Sequence, residues 1–206
     1  MFGWLKKYSR PSALKANGVL GMNARNYNII SRLNDRRLYP LVDDKVKTKV
    51  LAGKAGINTP RLIGVIEYQH QVKDFIKIVE GCPQFVIKPA HGSGGKGVLV
   101  ISHWEGQRFF TASGKELGFQ DVFRHISNTL SGLFSLGGQY DVAVIEEMVN
   151  FSDMFKDFSY QGVPDVRIIV YKGYPAMSMM RLATAESGGR ANLHQGAVGV
   201  GLDIQS

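Results

Sequence analysis

Residues 85–101 read FVIKPAHGSGGKGVLVI, and the fold turns on how this stretch is interpreted. Two short apolar runs, 85–87 and 98–101, flank a loop containing Gly92, Ser93, Gly94, Gly95, Lys96 and Gly97. The runs have strand length and β-branched content, and no helical periodicity follows the loop. A strand–loop–strand hairpin is the economical interpretation. Glycine has no Cβ, so backbone N–H groups can close around an anion, and a nest of such groups takes phosphate oxygens. Lys88 ends the first run and Lys96 lies within the loop, which brings cationic charge to the same place. The plainer alternative is a flexible hairpin without a ligand, since glycine-rich loops alone are weak signals.

Two commoner phosphate motifs do not fit. A P-loop requires GxxxxGK[ST], but Ala90 stands where its first glycine belongs and Gly97 where its hydroxyl belongs. A dinucleotide fingerprint requires the loop to open a helix, whereas VLVI reads as a strand.

The 206 residues suffice for one domain or two small lobes with a real core. A hydrophobic fraction of 44% and a charged fraction of 20% are ordinary for a globular protein. One cysteine, Cys82, excludes an internal disulfide and suits a reducing cytosol, so a cytoplasmic location is expected. No apolar run approaches the ~20 residues of a membrane span, and the first residues lack the apolar centre of a secretory signal. Phe2, Trp4 and Leu5 are expected to dock on the protein's own core. The net charge of +8 favours acidic partners. The basic residues are scattered apart from a cluster at 45–54, and no aromatic-interleaved basic signature is present. That argues against nucleic acid and for a small anionic substrate.

Residues 1–43 read as short irregular elements. From 44 to 55, Val46, Val50 and Leu51 fall on one helical face, with Asp43 or Asp44 as N-cap. Residues 62–66 look like a strand, and Val72, Phe75, Ile76 and Val79 have the spacing of an amphipathic helix. After the hairpin, apolar residues from Val122 to Phe134 predict a longer helix closed by Gly137 and Gly138. Residues 142–145 form a buried strand running into Glu146 and Glu147, followed by a loop over 150–164. Strands at 166–171 and 176–182 are joined by a turn at 172–175. A polar, mobile loop over 184–194 precedes a last strand-like segment at 195–204. The order is α+β, helices alternating with antiparallel hairpins.

The opening GVLGMNARNYNIISRLNDRRLYPLVDDKVKTK, the loop VIKPAHGSGGKGV, the strand end IEEMV and the segment DVRIIVYKGYPAMSMMRLATAESGGRANLHQGAVG together resemble the ATP-grasp superfamily. The resemblance is closest to α-L-glutamate ligase-like members related to the ribosomal-protein glutamate ligases. It implies an ATP-grasp fold, two α+β lobes with antiparallel sheets gripping a nucleotide. On that plan 1–43 is a reduced N-terminal segment, 44–145 the first lobe and 146–206 the start of an incomplete second lobe. The implied activity is an ATP-dependent carboxylate–amine ligase working through an acyl phosphate; a non-catalytic nucleotide-binding module is the alternative.

By this resemblance, Lys45 and Lys88 hold nucleotide phosphates and the loop from Gly92 to Gly97 closes over them. Glu146, Glu147, Met148 and Val149 form the hinge for adenine. Asp153 takes the ribose hydroxyls, with Asp157 as competitor. Arg167 and Arg181, near Asp165, grip acyl and phosphate oxygens, and Arg190, Asn192 and His194 line the cleft beside the phosphates and acceptor. The expected ligands are ATP, Mg2+ and an amino acid or small acidic or peptide substrate. The family's metal-ligand stretch has no counterpart here, so the Mg2+ ligands are expected beyond Ser206. The chain itself is then expected to bind nucleotide weakly, to lack turnover and to self-associate, possible homo-oligomer contacts forming through Val198, Val200 and Ile204.

Overall fold

The structure, a computed structural model, describes residues 9–150, 153–160 and 162–204. Phe2, Trp4 and Leu5 lie outside the described residues. The chain divides into two compact units, one ending at Pro40 and the other beginning at Leu41. In the first, α1 (Pro11–Ala16) starts on a proline, whose missing N–H costs nothing at that position. Short helical turns follow over 22–33, and Asp35 caps a 3₁₀ turn by accepting from the Arg37 amide at 2.9 Å. The expectation of short elements is met.

The second unit contains α2 (Lys45–Lys54), where Asp44 accepts from the Val46 and Lys47 amides at 2.9 and 3.2 Å. Of the two aspartates considered for the cap, Asp44 takes it. Next come β1 (Leu62–Ile66), a 3₁₀ turn (Gln69–Asp74) running into α3 (Phe75–Val79), and β2 (Phe85–Pro89). Beyond the glycine loop lie β3 (Leu99–Glu105), β4 (Arg108–Thr111), β5 (Glu116–Gly118), α4 (Phe119–Leu130) and β6 (Ala143–Glu147). These strands form one sheet in the order β1-β6-β2-β3-β4-β5, every neighbouring pair antiparallel. The strands β7 (Asp165–Tyr171), β8 (Tyr174–Leu182) and β9 (Val198–Leu202) form a second antiparallel sheet.

One face of the larger sheet carries the core. Phe85 and Ile87 of β2, Ile101, Phe109 and Ile145 are buried against Val72, Phe75 and Val79 and against Val122 and Ile126 of α4. Phe75 and Phe85 meet edge-on with ring centroids 5.7 Å apart, and Phe109 completes the trio. Strand alternation turns the other residues of β2 and β6 to the opposite face. There Val86 lies opposite Glu146 and Lys88 opposite Val144. This second face becomes the floor of the site described below.

Three expectations need correction. Val50 and Leu51 of α2 are about half exposed, so the apolar stripe is not the inward one. The helix predicted to run to Phe134 ends at Leu130, because Gly132 at φ +84° turns the chain out in a left-handed conformation. Gly137 and Gly138 belong to a separate 3₁₀ turn. The β7–β8 turn is only Lys172-Gly173, both at positive φ, as the right-twisted two-residue hairpin requires. The strands β4 and β5 had no counterpart in the sequence reading. Val166, Ile168 and Val170 of β7 and Val198 and Val200 of β9 are exposed. No helix among the described residues is long and apolar enough to cross a membrane.

Two glycines separate backbone strain from steric exclusion. Gly114 (φ +81°) has open space where a Cβ would stand, whereas a Cβ on Gly132 would lie 2.2 Å from the Gln139 carbonyl oxygen. Gly114→Ala is therefore expected to cost about 1–2 kcal/mol for the left-handed conformation alone, and Gly132→Ala distinctly more. Urea unfolding of the two variants checks this ranking, and equal losses would contradict it.

Candidate functional site

The inward stripe of α2 is Lys45, Thr48 and Lys49, one helical turn repeating on the same face. Lys45 sends its ammonium to the carbonyls of Ala90 and Gly92, at 3.0 and 2.7 Å, and its amide also donates to Ala90. The first residue of the helix thus holds the entrance of the glycine loop. Burial, and after it the nearby charge of Lys88, pushes the Lys45 ammonium below its ordinary range, while Asp141, Asp44 and Glu146 oppose this. Lys49 reaches the Pro60 carbonyl and the Glu146 carboxylate, lying 2.9 Å from Oε2. Lys88 hydrogen-bonds the other oxygen, Oε1. These partners explain why α2 presents its lysines inward and leaves Val50 and Leu51 outside.

The loop is held at several further points. Gly94, Gly95 and Gly97 all have positive φ. A Cβ on Gly97 would stand 2.5 Å from the Phe134 ring, so the close approach itself demands glycine. Nε2 of His125, on α4, lies 3.0 Å from the Gly97 carbonyl. Burial lowers the His125 pKa, and the Gly97 contact opposes that shift. Gln195 donates from Nε2 to the Gly94 carbonyl at 3.3 Å.

At the loop's start, the His91 amide donates to both oxygens of Asp141, and the His91 ring nitrogen Nδ1 lies 2.8 Å from Oδ1. The Ser135 hydroxyl and the Val142 amide complete the shell around this buried carboxylate. Burial pushes the Asp141 pKa up, but the combined donors outweigh it and hold the group below the usual carboxylate range. Lys96 and Ser93, at the tip, are exposed.

A hollow of about 660 Å³ runs from the end of β6 across the second face of the sheet. Glu146, Glu147, Met148 and Val149 line one side, with Val86 and Val100 beneath. The amide of Glu147 is taken by the Arg61 carbonyl at 2.9 Å. Asp153 also lines the hollow, ion-paired with Lys156 at 2.7 Å, whereas Asp157 does not. An adjoining hollow of about 430 Å³ shares Val98, Val100 and Gly189 and ends at Gly95 and Arg190. The two neighbouring hollows together run from the expected hinge to the glycine loop. Their floor is apolar, and their far end offers Gly95 of the loop and the cationic Arg190.

The remaining expected residues divide. The side-chain amide of Asn192 and the stem of Arg190 come against Gly94 and Gly95 of the loop. Arg181 does not stand open to a ligand: it forks onto Asp165, directly opposite across β7–β8, with Nε donating to Oδ1 at 2.6 Å and Nη2 to Oδ2. That pairing raises the Arg181 pKa. Arg167 lies opposite Met179 and is exposed. His194 is exposed as well. Among the described residues no group of three or more His, Cys, Asp or Glu side chains is placed to hold a metal ion.

Sequence reasoning missed Lys49, His91, His125, Asp141 and Gln195. His91 lies inside the quoted loop motif, and Lys49 is one turn beyond Lys45. Those were the available signals; Asp141 and His125 become recognisable only when the chain is folded.

The Asp141 shift fixes a pH dependence. A carboxyl lowered on folding contributes stability that is complete above its unfolded value near 3.8 and is lost as the pH falls through the lower folded value. Asp141→Asn is expected to destabilise at neutral pH by about 1–3 kcal/mol through unmatched buried donors, and to flatten the acid limb below that value. Unfolding free energies of both proteins from pH 6 to pH 2 check this, and parallel acid limbs would contradict it.

The model of the sugar-transfer associated ATP-grasp family matches residues 24–206. A comparison with curated proteins gave no match.

Proposed function

We propose, from the premise that this chain belongs to the sugar-transfer associated ATP-grasp family, that its cleft binds ATP and activates a carboxylate for attack by an amine. The fold, with its mixed α+β composition and antiparallel sheets, is that of the ATP-grasp superfamily, and ATP-dependent ligase-type chemistry is the activity general to it. The observation that carries the reading is the pair of adjoining hollows between the end of β6 and the glycine loop, with Lys88 on the same sheet face as Val86, which lines the first of them.

In the proposed reaction a carboxylate oxygen attacks the γ-phosphorus, the bond to the β-phosphate oxygen breaks, and ADP leaves. The amine nitrogen then attacks the acyl carbon, phosphate departs with the bonding pair, and nitrogen gives up a proton. Met148 and Val149 receive the adenine, Glu146 and Glu147 set the hinge, and Asp153 faces the ribose. Loop amides from Gly92 to Gly97, with Lys88 and Lys96, take the phosphate oxygens, where fixed dipoles and charges stabilise the transferring group. Lys45 acts through the loop, by holding the carbonyls of Ala90 and Gly92. Asn192 and Arg190 cover the phosphate end. Arg167 and Arg181 remain assigned to acyl oxygens, with Arg181 exchanging Asp165 for substrate. Magnesium would offset phosphate charge, but no described residue is assigned to it.

The resemblance drawn from sequence points to a glutamate ligase-like specificity. The description of the matched family, associated with sugar transfer, favours a sugar acid as the carboxylate. The engaged Arg181 and the exposed Arg167 support the second reading, a nucleotide-binding module without ligase turnover.

Lys88→Met is expected to weaken binding of a non-hydrolysable ATP analogue by about 2 kcal/mol or more, since a charge-assisted contact in a partly desolvated site is lost. Lys96→Met, on the exposed tip, is expected to cost less binding and more turnover. Calorimetric titration separates them; equal, negligible losses would remove Lys88 from the site.

A further inference from the structure

Two carboxylates among the described residues are buried, and their surroundings differ. Asp141 is surrounded mainly by neutral donors, the Ser135 hydroxyl and the amides of His91 and Val142, together with the His91 ring. Glu146 instead stands between two ammonium groups, Lys88 hydrogen-bonded at Oε1 and Lys49 ion-paired at Oε2, an oxygen that takes no hydrogen bond. The two lysines differ in how far they are committed. The Lys49 side chain is 11% exposed and also donates to the Pro60 carbonyl. The Lys88 side chain is 20% exposed and shares a sheet face with Val86, which lines the hollow. Two positive charges against one negative leave a surplus, and Lys45 stands close enough to feel the charge of Lys88.

Resting on the nucleotide reading above, we propose that Lys49 is a positioning residue for the phosphate-binding lysine. It neutralises Glu146 when Lys88 leaves that carboxylate for a phosphate oxygen of a nucleoside triphosphate. The reason is the cost of an unpaired buried charge. With Glu146 only 7% exposed on its side chain, releasing Lys88 into the hollow would strand the carboxylate unless a second cation stays. Lys49 stays, because its helix and its bond to Pro60 fix it. Glu146 then serves as the resting-state partner of Lys88, and Lys49 sets how readily that partner lets go. Without Lys49, Glu146 would hold Lys88 more firmly and its own charge would face the incoming phosphates.

The test is calorimetric titration of the 206-residue chain with a non-hydrolysable ATP analogue, in four forms: wild type, Lys49→Gln, Glu146→Gln and the double variant. Gln at 49 can still donate to Pro60 but carries no charge. Lys49→Gln is expected to weaken binding on the order of 10- to 100-fold, with Lys49→Arg restoring it. Glu146→Gln is expected to bind more tightly than wild type, because Lys88 is released and the hinge contacts at this position come from the backbone. Lys49→Gln added to Glu146→Gln is expected to change affinity by less than about threefold, the signature of coupling. A Lys49→Gln loss of the same size in both backgrounds would overturn the proposal, as would none in either. Glu146→Gln tests it separately should Lys49→Gln fail to fold; binding no tighter than wild type would also overturn it. No binding by wild type would overturn the nucleotide reading and this inference with it, whereas wild-type binding with Lys49→Gln unaffected overturns this inference alone.

Discussion

The alternation of side chains along β2 and β6 is the constraint on which the rest depends. Phe85, Ile87 and Ile145 must enter the core, and the period of two then places Val86, Lys88 and Glu146 on the other face. Slipping β2 by one residue would bury Lys88 among phenylalanines and expose Phe85, and slipping β6 would bury Glu146 in place of Ile145. Register and charge placement are therefore one requirement. The core fixes the register, and the register delivers Glu146 to the wall of the hollow and Lys88 to the same sheet face.

Around that floor, the elements contribute backbone control more than new chemistry. Lys45 fastens the loop's entrance, the Asp141–His91 pair fastens its first turn, and His125 with Phe134 fastens its exit. Between these anchors Gly94 and Gly95 lie outside the strand ladder, both at positive φ. Polar groups collected in this way cost desolvation, and they are tolerated because nearly every one has a partner. Two buried oxygens lack a hydrogen bond among the described residues: the side-chain carbonyl of Gln195, beside the loop, and Oε2 of Glu146, which meets Lys49 only as an ion pair.

Much of this was legible in the sequence where periodicity and turn chemistry agree. The strand at 62–66, the hairpin flanking the glycine loop, the strand ending in Glu146 and the β7–β8 pair all follow from short apolar runs between breakers. The family likeness also pointed to the correct superfamily. What failed did so for physical reasons. Val46, Val50 and Leu51 suggested the buried face of α2, but Lys45 and Lys49 find carbonyl and carboxylate partners that no local pattern encodes. The sequence beyond β3 offered only Phe109, Phe110 and Leu117 as apolar signals for β4 and β5, too sparse for a periodicity. Arg181 was foreseen as a free guanidinium, yet the β7–β8 register sets it against Asp165. Pairings across strands depend on register, and register is a tertiary property.

The central claim is that one nucleoside triphosphate spans the hollow from the β6 hinge to the glycine loop. Amide hydrogen exchange of the 206-residue chain, with and without a saturating non-hydrolysable ATP analogue, tests it most directly. The predicted result is slowed exchange in two separate places, the amides of Gly92 to Gly97 and those of Met148 and Val149, with β4 and β5 unchanged. Protection confined to the β7–β9 sheet, or at the loop without the hinge, would contradict it.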